Sequence, residues 1–203
     1  MNEELLIRLA RILGTAGVTL LAASAVLGVL LASRTAQRLR LLKGRTFRVH
    51  RLLSVVGAGL LLAHPVPVVL ARGTTGVGPA AIFVPFAAEK LVLNIAFGAL
   101  ALDVLLVVLA SSLLIKRLPR KVWRRLHYGA YAALAFGLYH GLLIPDVVGG
   151  PAARNASLYP LAFDKVLVEL AIAGVVLASA WRVAGGVRRR AGPRGGRAED
   201  SGL

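Results

Sequence analysis

The sequence predicts an all-α membrane protein, a bundle of about five transmembrane helices. Of its 203 residues 57% are hydrophobic, and the mean hydropathy of +0.74 is higher than a soluble domain of this size normally shows. Several uncharged apolar runs of about 20 residues match a bilayer core about 30 Å thick at about 1.5 Å per helical residue. Lipid offers the backbone no hydrogen-bond partner, and the runs lack the alternating polar pattern of a membrane barrel, so each run is predicted to be helical.

Five spans are predicted, at roughly residues 12–33, 49–70, 91–115, 126–145 and 163–183. They form one membrane domain, residues 12–185, between an N-terminal segment of residues 1–11 and a basic, disordered tail of residues 186–203. The acidic amino terminus leads into the first run without a small-residue cleavage site, which favours a retained helix over a signal peptide. Gly-rich and Pro-rich stretches near residues 73–85 and 145–160 predict irregular connections.

Charge predicts the orientation of these spans. Lys and Arg total 25 against nine Asp and Glu, a net charge of +16, which in a soluble chain would first indicate nucleic acid. Here the basic residues occupy gaps between apolar runs without interleaved aromatic residues, so contact with anionic lipid is expected and nucleic-acid binding is not. They concentrate from Arg34 to Arg51, from Lys116 to Arg125 and from Arg182 to Arg197. The positive-inside rule makes these segments cytoplasmic, with the amino terminus outside and the carboxyl terminus inside.

The chain contains four histidines, which divide equally between two of the predicted spans. His50 and His64 lie on the second span, 14 residues or about 21 Å apart along a helix, and therefore on one face. His127 and His140 lie on the fourth span, 13 residues or about 20 Å apart. The predicted topology brings His50 and His127 near the cytoplasmic side and His64 and His140 nearer the outside.

Two histidine pairs at matched depths are what two stacked bis-imidazole haems require. The pairs His50/His127 and His64/His140 are therefore predicted to be axial ligands of haem iron, in sites between the second and fourth helices. Without cysteine, thiolate zinc sites, iron–sulfur clusters and covalent haem attachment are excluded. The alternative interpretation of an individual histidine is an interfacial or hydrogen-bonded helix residue. At about 100° per residue, a 13-residue spacing turns His140 away from the face of His127, so a local irregularity near Gly137 and Gly141, helix tilt or oblique ligation is expected.

Three segments resemble the ferric reductase-like transmembrane domain family: Phe47-Arg-Val-His-Arg-Leu-Leu, Ala63-His-Pro, and Trp123-Arg-Arg-Leu-His-Tyr followed by Leu138-Tyr-His. The resemblance covers roughly residues 10 to 185. The family includes metalloreductases, NADPH oxidase membrane domains and the membrane haem subunit of the bacterial methionine sulfoxide reductase system. It implies two haem b groups on His50, His64, His127 and His140, and a multi-pass protein of a bacterial inner or plasma membrane.

Other residues are predicted to surround these sites. Arg51 and Arg125 belong to a group of basic residues at the predicted cytoplasmic helix ends. They are candidates to pair with haem propionates or to bind an acidic electron donor, and the alternative is that they only set the orientation of the helices in the membrane. Gly57 lies seven residues from both His50 and His64 and serves either close approach of a haem or helix packing. Asp103, near the centre of the third span, is a candidate to tune a ligand, relay protons to quinone or form an interhelical hydrogen bond.

The leading functional hypothesis is the membrane component of an oxidoreductase that transfers electrons outward through two haems to an extracytoplasmic acceptor. No Gly-x-Gly-x-x-Gly unit of a nicotinamide or flavin domain is present, so a separate cytoplasmic flavoprotein or quinol is the expected donor. One alternative is a quinol-linked cytochrome b subunit of a larger complex, with quinone near Asp103. Another is a sensor or transporter without haem, whose histidines respond to pH or bind a metal.

Overall fold

The computed structural model describes residues 2–32, 40–143, 169–170, 173–181 and 184. Within these residues the chain is helical and contains no strand, which confirms the all-α prediction. In chain order the elements are α1 (Glu3–Leu31), α2 (Arg40–Ala63), α3 (Pro65–Leu70), α4 (Arg72–Thr75), a 3-10 turn (Pro79–Ile82), α5 (Val92–Leu113) and α6 (Arg120–Leu143).

Three stretches of the described residues are long and apolar enough to cross a membrane: Glu3–Leu31, Gly44–Leu70 and Val92–Leu113. They coincide with the first three predicted spans. Helix α6 occupies the position of the fourth predicted span and carries histidines, tyrosines and basic first turns, and it is not among these three stretches. The predicted fifth span and the connection before it lie largely outside the described residues, although residues 173–181 are helical.

Local chemistry explains where the helices begin and end. Helix α1 begins at Glu3, well before the predicted boundary, because the Asn2 side chain accepts a hydrogen bond from the Glu4 N–H and two acidic residues occupy the positive end of the helix dipole. Helix α2 ends at Ala63 because Pro65 has no N–H to continue the helical hydrogen bonds. The connection near residues 73–85 contains α4 and the 3-10 turn, so it is more ordered than predicted.

The four long helices form two antiparallel hairpins. Helix α1 packs along α2, and α5 packs along α6, while the hairpins meet mainly where α1 touches α6. Small and branched residues make up the core, with Val18, Ala22, Leu134 and Leu138 between α1 and α6, and with Ala58, Leu105 and Ala133 between α2 and the second hairpin. Such small-residue packing is typical of helices in lipid.

Large apolar side chains cover the outside of the bundle. Leu52 and Val55 of α2 are 62% and 60% exposed, and Leu113 at the end of α5 is 85% exposed. An outward apolar surface of this extent is expected of a protein whose solvent is lipid, and together with the three apolar helices it supports a membrane location.

Candidate functional site

The fold brings the four histidines together as two pairs. The ring centroids of His50 and His127 are 6.5 Å apart with an interplanar angle of 77°. Those of His64 and His140 are 6.1 Å apart with an angle of 83°. These are the two pairs that the sequence predicts. The first is called the basic-end pair, because it lies at the end of the bundle where the basic residues of α2 and α6 cluster, and the second is called the far pair.

Both separations suit two imidazoles on opposite sides of one metal ion. A metal–imidazole bond is about 2 Å long and a ring nitrogen lies roughly 1 Å from its ring centroid, so two such ligands in line have centroids about 6 Å apart. A direct hydrogen bond would instead bring two ring nitrogens within about 3 Å of each other, which for rings in line places the centroids about 5 Å apart. The centroid spacing of each pair is thus compatible with two imidazoles on one metal ion.

Three of the four rings are oriented by backbone carbonyl groups of the neighbouring helix. The Nδ1 atoms of His64 and His140 lie 2.8 Å from the Ala10 oxygen and 2.7 Å from the Asn94 oxygen. The Nδ1 atom of His50 lies 2.9 Å from the Ser24 oxygen. A carbonyl can only accept, so Nδ1 donates in each case, and in a neutral ring Nε2 then carries the lone pair. This is the arrangement by which proteins orient histidine ligands of metals.

A glycine lies beside each of these three hydrogen bonds. Gly14, Gly28 and Gly98 each come four residues after the accepting residue on the same helix. A Cβ atom added to Gly14 would lie 2.9 Å from His64 Nδ1, and one added to Gly98 would lie 2.8 Å from His140 Cε1. At Gly28 the corresponding distance to His50 Cε1 is 3.4 Å. The rings of His64 and His140 thus occupy space that only a residue without a side chain leaves open, whereas a Cβ at Gly28 would make an ordinary van der Waals contact with His50.

His127 differs from the other three histidines. Its Nδ1 atom is buried without a hydrogen-bond partner, and its ring stacks on Trp123 with centroids 5.0 Å apart. By analogy with α1, the carbonyl expected to accept from His127 is that of Val108, 14 residues after Asn94 on α5. The Val108 oxygen instead accepts hydrogen bonds from the hydroxyls of Ser111 and Ser112, both at 2.8 Å. Gly129 of α6 packs against the Val108 side chain.

The 13-residue spacing on α6 explains this difference. Helix α6 runs from Arg120 to Leu143 without interruption, so the irregularity expected near Gly137 and Gly141 is absent. Of the three adjustments expected, only the local irregularity is not seen in this helix, and helix tilt and oblique ligation stay predictions. His127 and His140 lie on different faces of a regular helix, as about 100° per residue requires, and only His140 reaches the α5 backbone.

A buried serine connects His50 to the rest of its hairpin. Ser24, only 3% exposed, contacts His50 Nδ1 at 2.8 Å and Ser54 Oγ at 2.6 Å, and donates to the His50 carbonyl at 3.2 Å. Its hydroxyl and its carbonyl therefore both approach the same imidazole nitrogen. This network fixes α1 against α2 at the basic end.

The remaining predicted residues lie around the two pairs. Arg51 and Arg125 are exposed near the basic-end pair. Asp103, which is half-buried, and the exposed Arg125 line a groove of about 300 Å³ between α5 and α6, whose other walls are apolar. Gly57 is buried against α1, where an added Cβ would lie 3.0 Å from the Gly17 oxygen and 3.1 Å from Leu20 Cβ. Those contacts favour the helix-packing interpretation of Gly57, and its contact with a cofactor stays a prediction.

The site therefore belongs to a helical membrane protein with two separated imidazole pairs. Among the described residues no three His, Cys, Asp or Glu side chains converge as metal ligands, so these residues form no tetrahedral zinc centre with three protein ligands. No known protein family, curated protein or solved structure matches the chain.

Sequence reasoning overlooked the three glycines and the serine. A signal for two of the glycines was present, since Gly14 and Gly28 are 14 residues apart in the first span and so repeat the spacing of His50 and His64 in the second. The accepting carbonyls gave no comparable signal, because every residue type carries one.

Proposed function

We propose that this protein binds two b-type haems, one at each histidine pair, and serves as the membrane electron-transfer component of a ferric reductase-like oxidoreductase. The observation that carries the proposal is the pair of ring separations, 6.5 and 6.1 Å, together with three imidazoles whose Nδ1 atoms face carbonyl oxygens. Bound haem supplies reversible one-electron chemistry at iron.

The roles of the chain's own groups follow from their positions. His50 and His127 would hold one haem and His64 and His140 the other, with Nε2 the nitrogen left available on the three rings whose Nδ1 faces a carbonyl. The carbonyls of Ala10, Ser24 and Asn94 fix the orientation of three rings and increase their basicity as ligands. Apolar packing around the bundle keeps water from the sites.

The basic end suits the arrival of electrons. Arg51, Arg124 and Arg125 are exposed there, and guanidinium groups pair well with haem propionates and with acidic protein surfaces. A separate cytoplasmic flavoprotein is the proposed donor, and an extracytoplasmic acceptor is proposed beyond the far pair.

A spectrum with haem quantification tests this function. The purified wild-type protein, oxidised and then reduced with dithionite, is expected to show low-spin b-type bands and two haems per chain. His64→Ala and His50→Ala are each expected to reduce this to one. Val56→Ala is the matched control, because Val56 lies on α2 between the two histidines and is 44% exposed. It should retain both haems.

Absence of haem from wild-type protein expressed with ample haem supply would contradict the proposal. In that case the histidine pairs would have to act without haem, as in a pH-responsive or metal-responsive sensor or transporter. Loss of both haems from either single variant while the fold persists would contradict the assignment of one pair to each haem.

The groove at Asp103 and Arg125 favours quinol as a second candidate donor, in a cytochrome b subunit of a larger complex. Its apolar walls fit an isoprenoid-bearing ring, a guanidinium can bond a quinone oxygen, and a carboxylate can take up a proton. Under this alternative, quinol reduces the haems directly and Asp103→Asn slows that reduction by at least about tenfold. Unchanged reduction kinetics in the variant would exclude this groove as the quinol site.

A further inference from the structure

Three histidines share one mode of support, and the fourth lacks it. His50, His64 and His140 each donate from Nδ1 to a carbonyl whose helix has a glycine four residues later. His127 Nδ1 has no hydrogen-bond partner. The far pair therefore has two supported ligands, whereas the basic-end pair has one.

The role of the glycine follows from helix geometry. In an α-helix the carbonyl of residue i bonds the N–H of residue i+4, and its second lone pair stays free for a side chain of a neighbouring helix. A Cβ atom at i+4 would stand beside that lone pair, and at Gly14 and Gly98 it would lie within 3.0 Å of the imidazole. A glycine at this position thus allows the ring to reach the carbonyl.

The corresponding place on α5 is closed to His127. The Val108 carbonyl already accepts two serine hydroxyls, and Gly129 of α6 packs against Val108. His127 instead stacks nearly parallel on Trp123, with an interplanar angle of 19°. Stacking restricts the tilt of the ring but supplies no acceptor for Nδ1–H.

We propose that Gly14 and Gly98 are positioning residues for the histidine ligands His64 and His140, and that His127, whose Nδ1 lacks a carbonyl partner, is the exchangeable ligand that opens the basic-end site to a small exogenous ligand. The proposal rests on the proposed function, since it concerns ligation of haem iron. Loss of an outer hydrogen bond to a ligating histidine typically weakens metal binding by about 10-fold to 100-fold, which is the size of difference expected between the sites.

Carbon monoxide binding to the dithionite-reduced wild-type protein is the direct test. Carbon monoxide coordinates ferrous haem only after one histidine has left, so the binding rate reports how readily each site loses a ligand. Two phases of equal amplitude are expected, with rates that differ by at least about tenfold. The fast phase should remain in His64→Ala, which keeps the basic-end haem, and disappear in His50→Ala.

Glycine substitutions test the positioning role. In Gly98→Ala the new Cβ would lie 2.8 Å from His140 Cε1 and 2.9 Å from its Nδ1, so the ring must leave the Asn94 carbonyl. The slow phase is then expected to accelerate by about tenfold or more while the fast phase stays unchanged. Gly14→Ala should act in the same way through His64, because the same space is filled at 2.9 Å from its Nδ1.

Two glycines provide matched controls. The nearest atom to a Cβ at Gly137 of α6 is Ala101 Cβ at 3.9 Å, and nothing lies within 4 Å of one at Gly59 of α2. Gly137→Ala and Gly59→Ala should leave both phases unchanged.

The outcomes separate this proposal from the proposed function. Wild-type protein with two haems and a single carbon monoxide phase would overturn the inference and leave the haem assignment intact. An unaltered slow phase in folded Gly98→Ala and Gly14→Ala would overturn the positioning role. Wild-type protein without haem would overturn both. If the glycine variants fail to fold, the wild-type phases still decide whether one ligand exchanges faster.

Discussion

At the scale of single residues, the backbone determines which ring nitrogen is available in three of the four histidines. Ala10, Ser24 and Asn94 differ in side chain but each contributes its carbonyl oxygen. The histidines could be predicted from the sequence, because a polar side chain in an apolar span is rare and energetically costly and therefore indicates a functional site. The sequence could not reveal the acceptors, since a carbonyl is common to all residues and only the packing of α1 and α5 selects these three.

Ser24 offers a test of how hydroxyl and carbonyl share the support of His50. Ser24→Ala removes the hydroxyl that contacts His50 Nδ1 and Ser54 Oγ but retains the Ser24 carbonyl 2.9 Å from the ring. The variant is expected to keep both haems and to lose about 1–2 kcal/mol of stability, because buried hydrogen bonds are lost and Ser54 is left with fewer partners. Thermal unfolding in detergent, followed by haem absorbance, measures both quantities.

The double variant provides the control for that prediction. Ser54→Ala and Ser24→Ala remove the same hydroxyl–hydroxyl bond, so their combined destabilisation should be smaller than the sum of the single effects. If the two destabilisations simply add, the bond between the two hydroxyls contributes nothing measurable to stability. Loss of the basic-end haem from Ser24→Ala would show that the hydroxyl, rather than the carbonyl, orients His50.

At the scale of helices, residue spacing accounts for the difference between α2 and α6. The 14-residue spacing on α2 returns both histidines to the face that meets α1, and their two acceptors on α1 are also 14 residues apart. The 13-residue spacing on α6 allows only His140 to face α5.

The apolar runs were sufficient to predict the long helices, but the early start of α1 depends on its Asn2 cap and the end of α2 on Pro65.

The crossing of α1 and α2 at Gly17 and Gly57 should be sensitive to added volume. A Cβ at Gly57 would lie 3.0 Å from the Gly17 oxygen, a backbone atom that cannot move without shifting α1. Gly57→Ala is therefore expected to destabilise the protein by about 1–3 kcal/mol. Because α1 carries the acceptors of both His50 and His64, haem content should fall at both sites.

Gly59→Ala is the matched substitution two residues away, where an added Cβ meets nothing within 4 Å. It should leave haem content unchanged and stability unchanged or slightly higher, since alanine is the better helix former. Thermal unfolding and haem quantification of the two variants compare them directly. Equal effects of Gly57→Ala and Gly59→Ala would indicate that the close crossing does not constrain the sites.

At the scale of the whole molecule, the described part of the bundle repeats one arrangement twice. The repeat is incomplete, because α1 offers carbonyls to both histidines of α2 whereas α5 offers one to His140 alone, but α1 still corresponds to α5 and α2 to α6. Corresponding helices run in the same direction, because His50 meets His127 and His64 meets His140. The repeat is hard to see in sequence, since it consists of backbone contacts and a few small residues.

Orientation across the membrane follows from the position of charge at one end of this repeat. The basic residues that precede His50 and His127 lie at the same end of the bundle, and the positive-inside rule predicts that this end is cytoplasmic. Since the chain lacks cysteine, single cysteines report exposure without background. Ala80→Cys, at an exposed site in the outer connection, should react with a membrane-impermeant maleimide on intact cells or spheroplasts. Lys116→Cys, exposed beyond α5, should react only after the membrane is opened, and the reverse pattern would place the basic-end pair outside.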